Sequence, residues 1–188
     1  MSLFSSFLFI IFWGLFPLFA QVKISALGGV DYFDSRHRFQ PAPAGFINFS
    51  FETDFNGGLE FVYHFTDPVL QIRTPSQNIS IPSNIQSVTI FCFYNFNTPV
   101  FDLKIKPLIG IGTKWIQRDS YIISLGVLGD RTIKSATEKY FNSAFAIDFS
   151  KEITRKIALS IRPAASLYGS KMEYVSFSLA GGIDVRLF

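Results

Sequence analysis

The residues of this sequence that could do chemistry are few, and the first of them is a serine close to a histidine. Ser35-Arg36-His37-Arg38 is the one segment where these two residue types come close together in the chain. Hydrolases use such a pair because the imidazole takes the hydroxyl proton, with an acid orienting the base. Neighbours within one segment rarely reach that geometry, and no acid can be assigned to them. We therefore expect a solvated, basic interaction loop at Arg36, His37 and Arg38, and no enzyme.

The other reactive side chains predict no metal and no cofactor. His64 has no companion cysteine or acidic cluster, whereas a structural zinc site needs four such ligands. Cys92 is the single cysteine, which excludes an intramolecular disulfide and a CxxC pair. Gly110-Ile111-Gly112 is not followed by a helix, as a phosphate loop would require. We interpret Cys92 as a small side chain on an apolar face.

The composition argues against a surface that faces water throughout. Only 16% of the 188 residues are charged, whereas 17% are aromatic and 23 are Phe. A soluble domain carries about a quarter charged residues. The net charge is +3, and the Lys and Arg residues are dispersed. No basic run could track a phosphate backbone, so we expect no nucleic-acid partner.

The N-terminus predicts export. Leu3 to Phe19 form an apolar block with Pro17 near its end, and Ala20 follows it. We expect a signal peptide over residues 1–20, cleaved after Ala20, and one barrel domain over residues 21–188. An uncleaved anchor helix is the alternative, and export holds under either interpretation.

Beyond residue 20, strict alternation of apolar and polar residues predicts β-strands. No apolar run approaches the roughly 20 residues of a membrane-spanning helix. A sheet in lipid must have no free edge, so it closes into a barrel. The sequence thus predicts an all-β, antiparallel, up-and-down transmembrane barrel of eight strands, near Lys23–Phe33, Gly45–Glu52, Leu59–Phe65, Gln86–Phe96, Phe101–Ile116, Tyr140–Phe149, Ile157–Leu167 and Tyr174–Leu187.

The polar phase of these strands is rich in Gly, Ala and Ser, which suits the crowded interior of a small barrel. The large apolar phase suits a belt about 25 Å tall around the outside. Buried charges survive only when paired, so we predict a salt-bridged interior network and no open pore. The charged and histidine residues of the polar phase are Lys23, Asp31, Glu52, Glu60, His64, Asp102, Lys104, Lys106, Lys114, Asp148, Arg162, Asp184 and Arg186.

The connections alternate between long and short, as in a barrel with long outer loops and short periplasmic turns. The long connection Asp119–Asp130 contains the apolar run that starts Tyr121-Ile122-Ile123. One interpretation is that two strands extend beyond the membrane and offer an edge to a partner. The other is an extra membrane hairpin, which would make the barrel ten-stranded.

The chain resembles small eight-stranded outer-membrane proteins of the OmpX, OmpA-barrel and opacity-protein type. The resemblance is carried by Lys106-Pro107-Leu108-Ile109-Gly110-Ile111-Gly112-Thr113 and by the last strand, Leu179 to Phe188. It implies that Phe188 is the signal read by the barrel-assembly machinery. In that family, every second residue before the final aromatic is aromatic or apolar. Here those positions are Arg186 and Asp184, so the apolar residues are displaced by one position.

The resemblance also implies a location in the bacterial outer membrane, with lipid around the barrel. Its loops would serve adhesion, contact with a host or extracellular factor, or envelope integrity. Two alternatives stay open at the level of sequence. One is an outer-membrane lipid-modifying enzyme that uses Ser35 and His37. The other is a soluble exported β-barrel or sandwich that binds a ligand.

Overall fold

A computed structural model describes residues 21–34, 38–73, 77–98, 103–124 and 130–187. The predicted signal peptide, Arg36, His37, Asp102 and Phe188 lie outside these residues. Within this part of the chain, no helix is long and apolar enough to cross a membrane.

The described residues form twelve β-strands, and eight of them are long. The strands are β1 Gln21–Phe33, β2 Ala42–Glu52, β3 Gly57–Thr66, β4 Val69–Arg73, β5 Asn78–Tyr94, β6 Phe96–Thr98, β7 Leu103–Arg118, β8 Tyr121–Ser124, β9 Asp130–Ile133, β10 Ala136–Glu152, β11 Ile157–Tyr168 and β12 Tyr174–Arg186.

The long strands close into an antiparallel barrel in the order β1-β2-β3-β5-β7-β10-β11-β12. The ring closes where β12 pairs with β1, with Ile24 opposite Val185, so none of the eight has a free edge. The prediction of an eight-stranded up-and-down barrel is confirmed. The ten-stranded alternative is wrong, because β8 and β9 form a separate two-stranded sheet.

The apolar phase of each strand faces outward. Phe49 is 44% exposed, Ile109 68% and Phe177 56%, whereas Asn48 and Ser50, beside Phe49 in β2, are at most 1% exposed. Successive side chains of a strand point to opposite faces, so one apolar phase gives a continuous apolar surface around the barrel. The alternative with the apolar phase inside is wrong.

The interior is less polar than the sequence predicts. Leu27, Phe91, Phe93 and Leu108 lie on the phase predicted to be polar, and they pack inside with Ala146. Narrow barrels are filled by side chains, and apolar ones fill the spaces between ion pairs without needing partners of their own.

The end of the barrel at residues 34, 38–41, 67–73, 77, 119–124, 130–135 and 169–173 is here called the loop end, and the opposite end the turn end. At the loop end, β5 begins at Asn78 and pairs with β4, although the sequence predicts a strand only from Gln86 onward. The apolar phase reverses there. Ile81 and Ile85 point inward and are fully buried, whereas Val88 and Ile90 point outward and are exposed.

Candidate functional site

Four charged residues on four strands form the centre of the barrel interior, here called the central ion cluster: Glu60 on β3, Lys106 on β7, Asp148 on β10 and Arg162 on β11. Lys106 Nζ donates to Glu60 Oε2 at 2.6 Å. Arg162 donates to Asp148 Oδ2 at 2.5 Å and also to Glu60.

This cluster is closed to water, because Glu60 and Asp148 are 0% exposed and Arg162 4%. Ser50 adds a hydrogen bond to Glu60 Oε2 at 2.6 Å. Two acids and two bases balance in charge, and each has opposite charges within reach. These ion pairs link β3, β7, β10 and β11 across the interior of the barrel.

Nearer the loop end, a histidine lies between an acid and a serine. His64 Nε2 is 2.8 Å from Asp31 Oδ2, and His64 Nδ1 is 3.3 Å from Ser87 Oγ. Sequence reasoning did not bring these residues together, because they come from β1, β3 and β5. The one available signal is that all three fall on the inward phase. His64 and Ser87 come together because the register of β3 and β5 places these two residues opposite each other.

The residue types are those of a hydrolase triad, but the surroundings exclude a substrate. Asp31, His64 and Ser87 are at most 7% exposed, and Phe46 stacks on the imidazole with ring centroids 4.6 Å apart. A nucleophile must reach a substrate atom at about 3 Å. This buried group therefore contributes to packing and polar pairing.

Lys114 and an apolar cluster complete the interior at the loop end. Lys114 Nζ donates to Ser176 Oγ at 3.0 Å and lies 3.9 Å from the centre of the Tyr168 ring. Beyond it, Ile85, Ile116 and Phe39 pack with Tyr168. This apolar cluster lies in the interior at the loop end.

At the turn end, a second set of ion pairs lies close to water. Lys104 and Arg186 both donate to Glu152 Oε1 at 2.7 Å. The prediction placed Lys104 and Arg186 in the interior network. Their side chains are instead 29% and 26% exposed, at the rim of the barrel. The hydrogen bond from Lys104 helps to hold the pKa of the Glu152 carboxyl below its usual value.

Two other predicted members lie apart from the central ion cluster. Asp184, which is 8% exposed, accepts a hydrogen bond from Ser160. Lys23 pairs with Glu52 at 2.6 Å near the turn end.

The loop end carries the remaining predicted interaction residues. Arg38 is exposed, whereas Tyr121, Ile122 and Ile123 lie in β8, where Ile122 is 59% exposed. β8 and β9 pair from Tyr121 opposite Ile133 onward, beyond the last residues shared by β7 and β10. The hairpin thus extends beyond the barrel. Among the described residues, no group of three His, Cys, Asp or Glu side chains could hold a metal ion.

A closed barrel with an apolar exterior and ion pairs inside has the architecture of small outer-membrane barrels. No family model matches the chain, and no curated protein matches it. Solved structures do.

Neisserial surface protein A is 14% identical, with a TM-score of 0.57 over 88% of this chain and 95% of that one. Ail of Yersinia pestis, solved with the heparin analogue sucrose octasulfate, is 10% identical, with a TM-score of 0.56 over 89% and 97%. A major outer membrane protein of Thermus thermophilus is 9% identical, with a TM-score of 0.61 over 88% and 99%. The chain therefore has the fold of bacterial outer-membrane barrels, and the predicted resemblance is confirmed at that level.

Proposed function

We propose that this protein is a non-enzymatic barrel of the bacterial outer membrane that acts through its surface loops. The observation that carries the proposal is the combination of an apolar exterior with an interior that side chains occupy from the central ion cluster to the loop end. A surface of this kind is stable only in lipid, and a filled lumen leaves the loop end as the part that can meet a partner.

Three layers of side chains support the absence of a pore. The central ion cluster crosses the lumen, the His64 group lies next to it, and the apolar cluster of Phe39, Ile85, Ile116 and Tyr168 covers both at the loop end. An eight-stranded barrel is only wide enough for its own side chains. Ion conduction would require these layers to separate.

The long connections support binding of an extracellular or host factor. β4 with the start of β5, and β8 with β9, form two hairpins that project past the barrel. The neighbour Ail was solved with a heparin analogue. Adhesion to another cell or to its matrix is the role that fits such loops best.

Export and assembly form the third part of the proposal. Residues 1–20 direct secretion, and Phe188 with the last strand engages the barrel-assembly machinery. The apolar belt then contacts outer-membrane lipid. Deletion of residues 2–20 should leave the protein in the cytoplasmic fraction.

Adhesion is tested with bacteria that display the protein and are layered on cultured animal cells. Replacing residues 69–81 or 121–133 with a short Gly-Ser segment should abolish attachment. The matched control carries the same replacement at residues 169–173 and should attach normally. Heat-modifiable gel migration verifies that each variant is folded. Attachment that survives both hairpin replacements, or that never exceeds that of bacteria without the protein, would contradict the adhesion role.

The absence of a pore is tested by conductance of purified protein in planar bilayers. We expect no discrete steps from the wild-type protein, because the lumen is filled. Stable ohmic steps would contradict this part of the proposal.

A further inference from the structure

An open groove lies at the loop end between the segment 38–41 and strand β4. Its volume is about 480 Å³, and it is lined by Arg38, Phe39, Gln40, Pro41, Gln71 and Arg73. This volume lies within the range of sites that hold small ligands or a few sugar units. The sequence analysis proposed Arg38 for interactions but gave no role to Arg73.

The groove is held rigidly by backbone contacts. Gln71 N donates to Arg38 O at 3.0 Å, and Gln40 N donates to Val69 O at 2.9 Å. Between them, Phe39 bridges to Leu70 in the antiparallel sense. The Phe39 ring is buried and packs edge-on against Phe33, with centroids 5.3 Å apart. A site fixed in this way loses little conformational freedom on binding.

Arg38 itself has an unusual backbone conformation. Its φ is +54°, in the left-handed region, which residues with a Cβ seldom adopt. The contacts of Arg38 O, Phe39 and Gln40 with β4 hold the backbone that follows this residue. Local backbone strain of this kind is concentrated at ligand sites. The result is that the Arg38 side chain is presented at the edge of the groove.

The two arginines of the groove have no acidic partner in the part of the chain that the structure describes. Both are exposed, and no carboxylate of the described residues lies within ion-pair distance of Arg38 or Arg73. A guanidinium presents a planar fork of donors that matches oxyanions bidentately, and it is weakly hydrated. Gln40 and Gln71 add amide donors and acceptors that suit sugar hydroxyls.

The height of the groove decides which oxyanion it can meet. Trp115 and Lys139 face outward at the loop end of the apolar belt, with Lys139 Nζ 5.7 Å from the centre of the Trp115 ring. Trp115 is opposite Gln86 of β5, and Arg73 is opposite Asn78. Those positions on β5 are about 26 Å apart along the strand at 3.3 Å per residue. Barrel strands tilt by about 35–45° from the barrel axis, so this path corresponds to a height of about 20 Å. Aromatic side chains such as Trp115 mark the headgroup level, so Arg73 lies above that level.

We propose that this groove binds the sulfate esters of a soluble sulfated glycan, with Arg38 and Arg73 as the anion ligands. Sulfate esters keep their charge at physiological pH and offer oxygens to both forks. The hydroxyls between them meet the glutamine amides. This inference rests on the proposed function and names the ligand of the loop end.

The test measures binding of sucrose octasulfate to the full chain in detergent micelles by calorimetry. Unsubstituted sucrose is the ligand control. We expect the double variant Arg38→Gln/Arg73→Gln to bind about a hundredfold more weakly or worse, because each lost charge-assisted pair weakens binding about tenfold or more. The matched variant Arg131→Gln changes an exposed arginine on β9, outside the groove, and should bind as the wild type does.

Several results would overturn the inference. The first is a wild-type protein that does not bind sucrose octasulfate, and the second is an equal loss of affinity in the groove and β9 variants. The third is displacement of the probe by anionic phospholipid vesicles, which would assign the groove to lipid. If the double variant fails to show heat-modifiable migration, the single variant Arg73→Gln takes its place and should bind more weakly than Arg131→Gln. The adhesion and conductance assays do not use the probe, so they separate failure of this inference from failure of the proposed function.

Discussion

At the scale of single residues, the central ion cluster shows how a charged interior remains stable within a membrane barrel. Removing a carboxylate or guanidinium from water costs several kcal/mol, and only close opposite charges offset that cost. Glu60 meets both Arg162 and Lys106. Each member therefore stabilises the others, and the loss of one leaves an uncompensated charge.

Glu60→Gln should strongly destabilise the folded barrel. It leaves the charges of Arg162 and Lys106 with Asp148 alone, and we expect a loss of about 3–5 kcal/mol in the free energy of unfolding. The matched change Glu152→Gln breaks partly exposed pairs at the turn end and should cost at most about 1 kcal/mol. Urea unfolding in lipid vesicles, followed by Trp115 fluorescence, measures both. Equal losses for the two variants would contradict the account.

Sequence alone could predict which residues face inward but not which of them meet. Period-two alternation assigns Glu60, His64 and Arg162 to one phase. Contact between Asp31 and His64 depends on the closure and tilt of the whole barrel, which alternation does not specify. Lys104 and Arg186 fall on the same inward phase, and they are near water only because each lies close to the turn end of its strand.

At the scale of strands, the apolar side chains change from the outward to the inward face of the sheet at the expected boundary of the membrane. Along β7, Ile111 points outward and is 60% exposed, whereas Ile116 points inward and is 0% exposed. Within lipid the apolar side chains face outward. Beyond lipid the same strand must bury its apolar side chains, as a soluble sheet does. A prediction that assumes one constant apolar face along each strand therefore makes the strands too short. The predicted strand begins at Gln86, whereas β5 begins at Asn78.

Two neighbouring glycines of β1 test the crowding of the interior. A Cβ added to Gly29, which faces inward, would lie 2.1 Å from the Leu179 carbonyl oxygen, whereas one added to Gly28 meets nothing within 4 Å. Gly29→Ala should lower the free energy of unfolding by about 1–3 kcal/mol, since backbone must shift. Gly28→Ala should change it by about 0.5 kcal/mol or less. The same urea titration measures both variants. If Gly28→Ala lowers the free energy of unfolding as much as Gly29→Ala does, the assignment of Gly28 to the outer face and Gly29 to the inner face is contradicted.

At the scale of the whole molecule, closure, orientation and filling together determine what the protein can do. Closure removes free edges from the barrel, so its backbone groups are satisfied in lipid. The outward apolar phase supplies the surface that the proposed lipid contact needs. Composition and alternation could predict the closure of the barrel and the outward orientation of its apolar phase. The arginine groove at the loop end could not be predicted, because it forms only where the segment 38–41 contacts β4.

The central claim is that the apolar phase faces hydrocarbon, and the single cysteine allows a direct test. Cys92 is exposed and is opposite Ile109 on the outer face. A nitroxide label on Cys92 in bilayers, studied by power-saturation EPR, should collide often with oxygen and seldom with a water-soluble nickel complex. The same label at position 122, in Ile122→Cys/Cys92→Ser, lies on the exposed strand β8 and should collide often with the nickel complex. A label on Cys92 that meets the nickel complex freely, or that is shielded from oxygen as well, would contradict the orientation of the barrel.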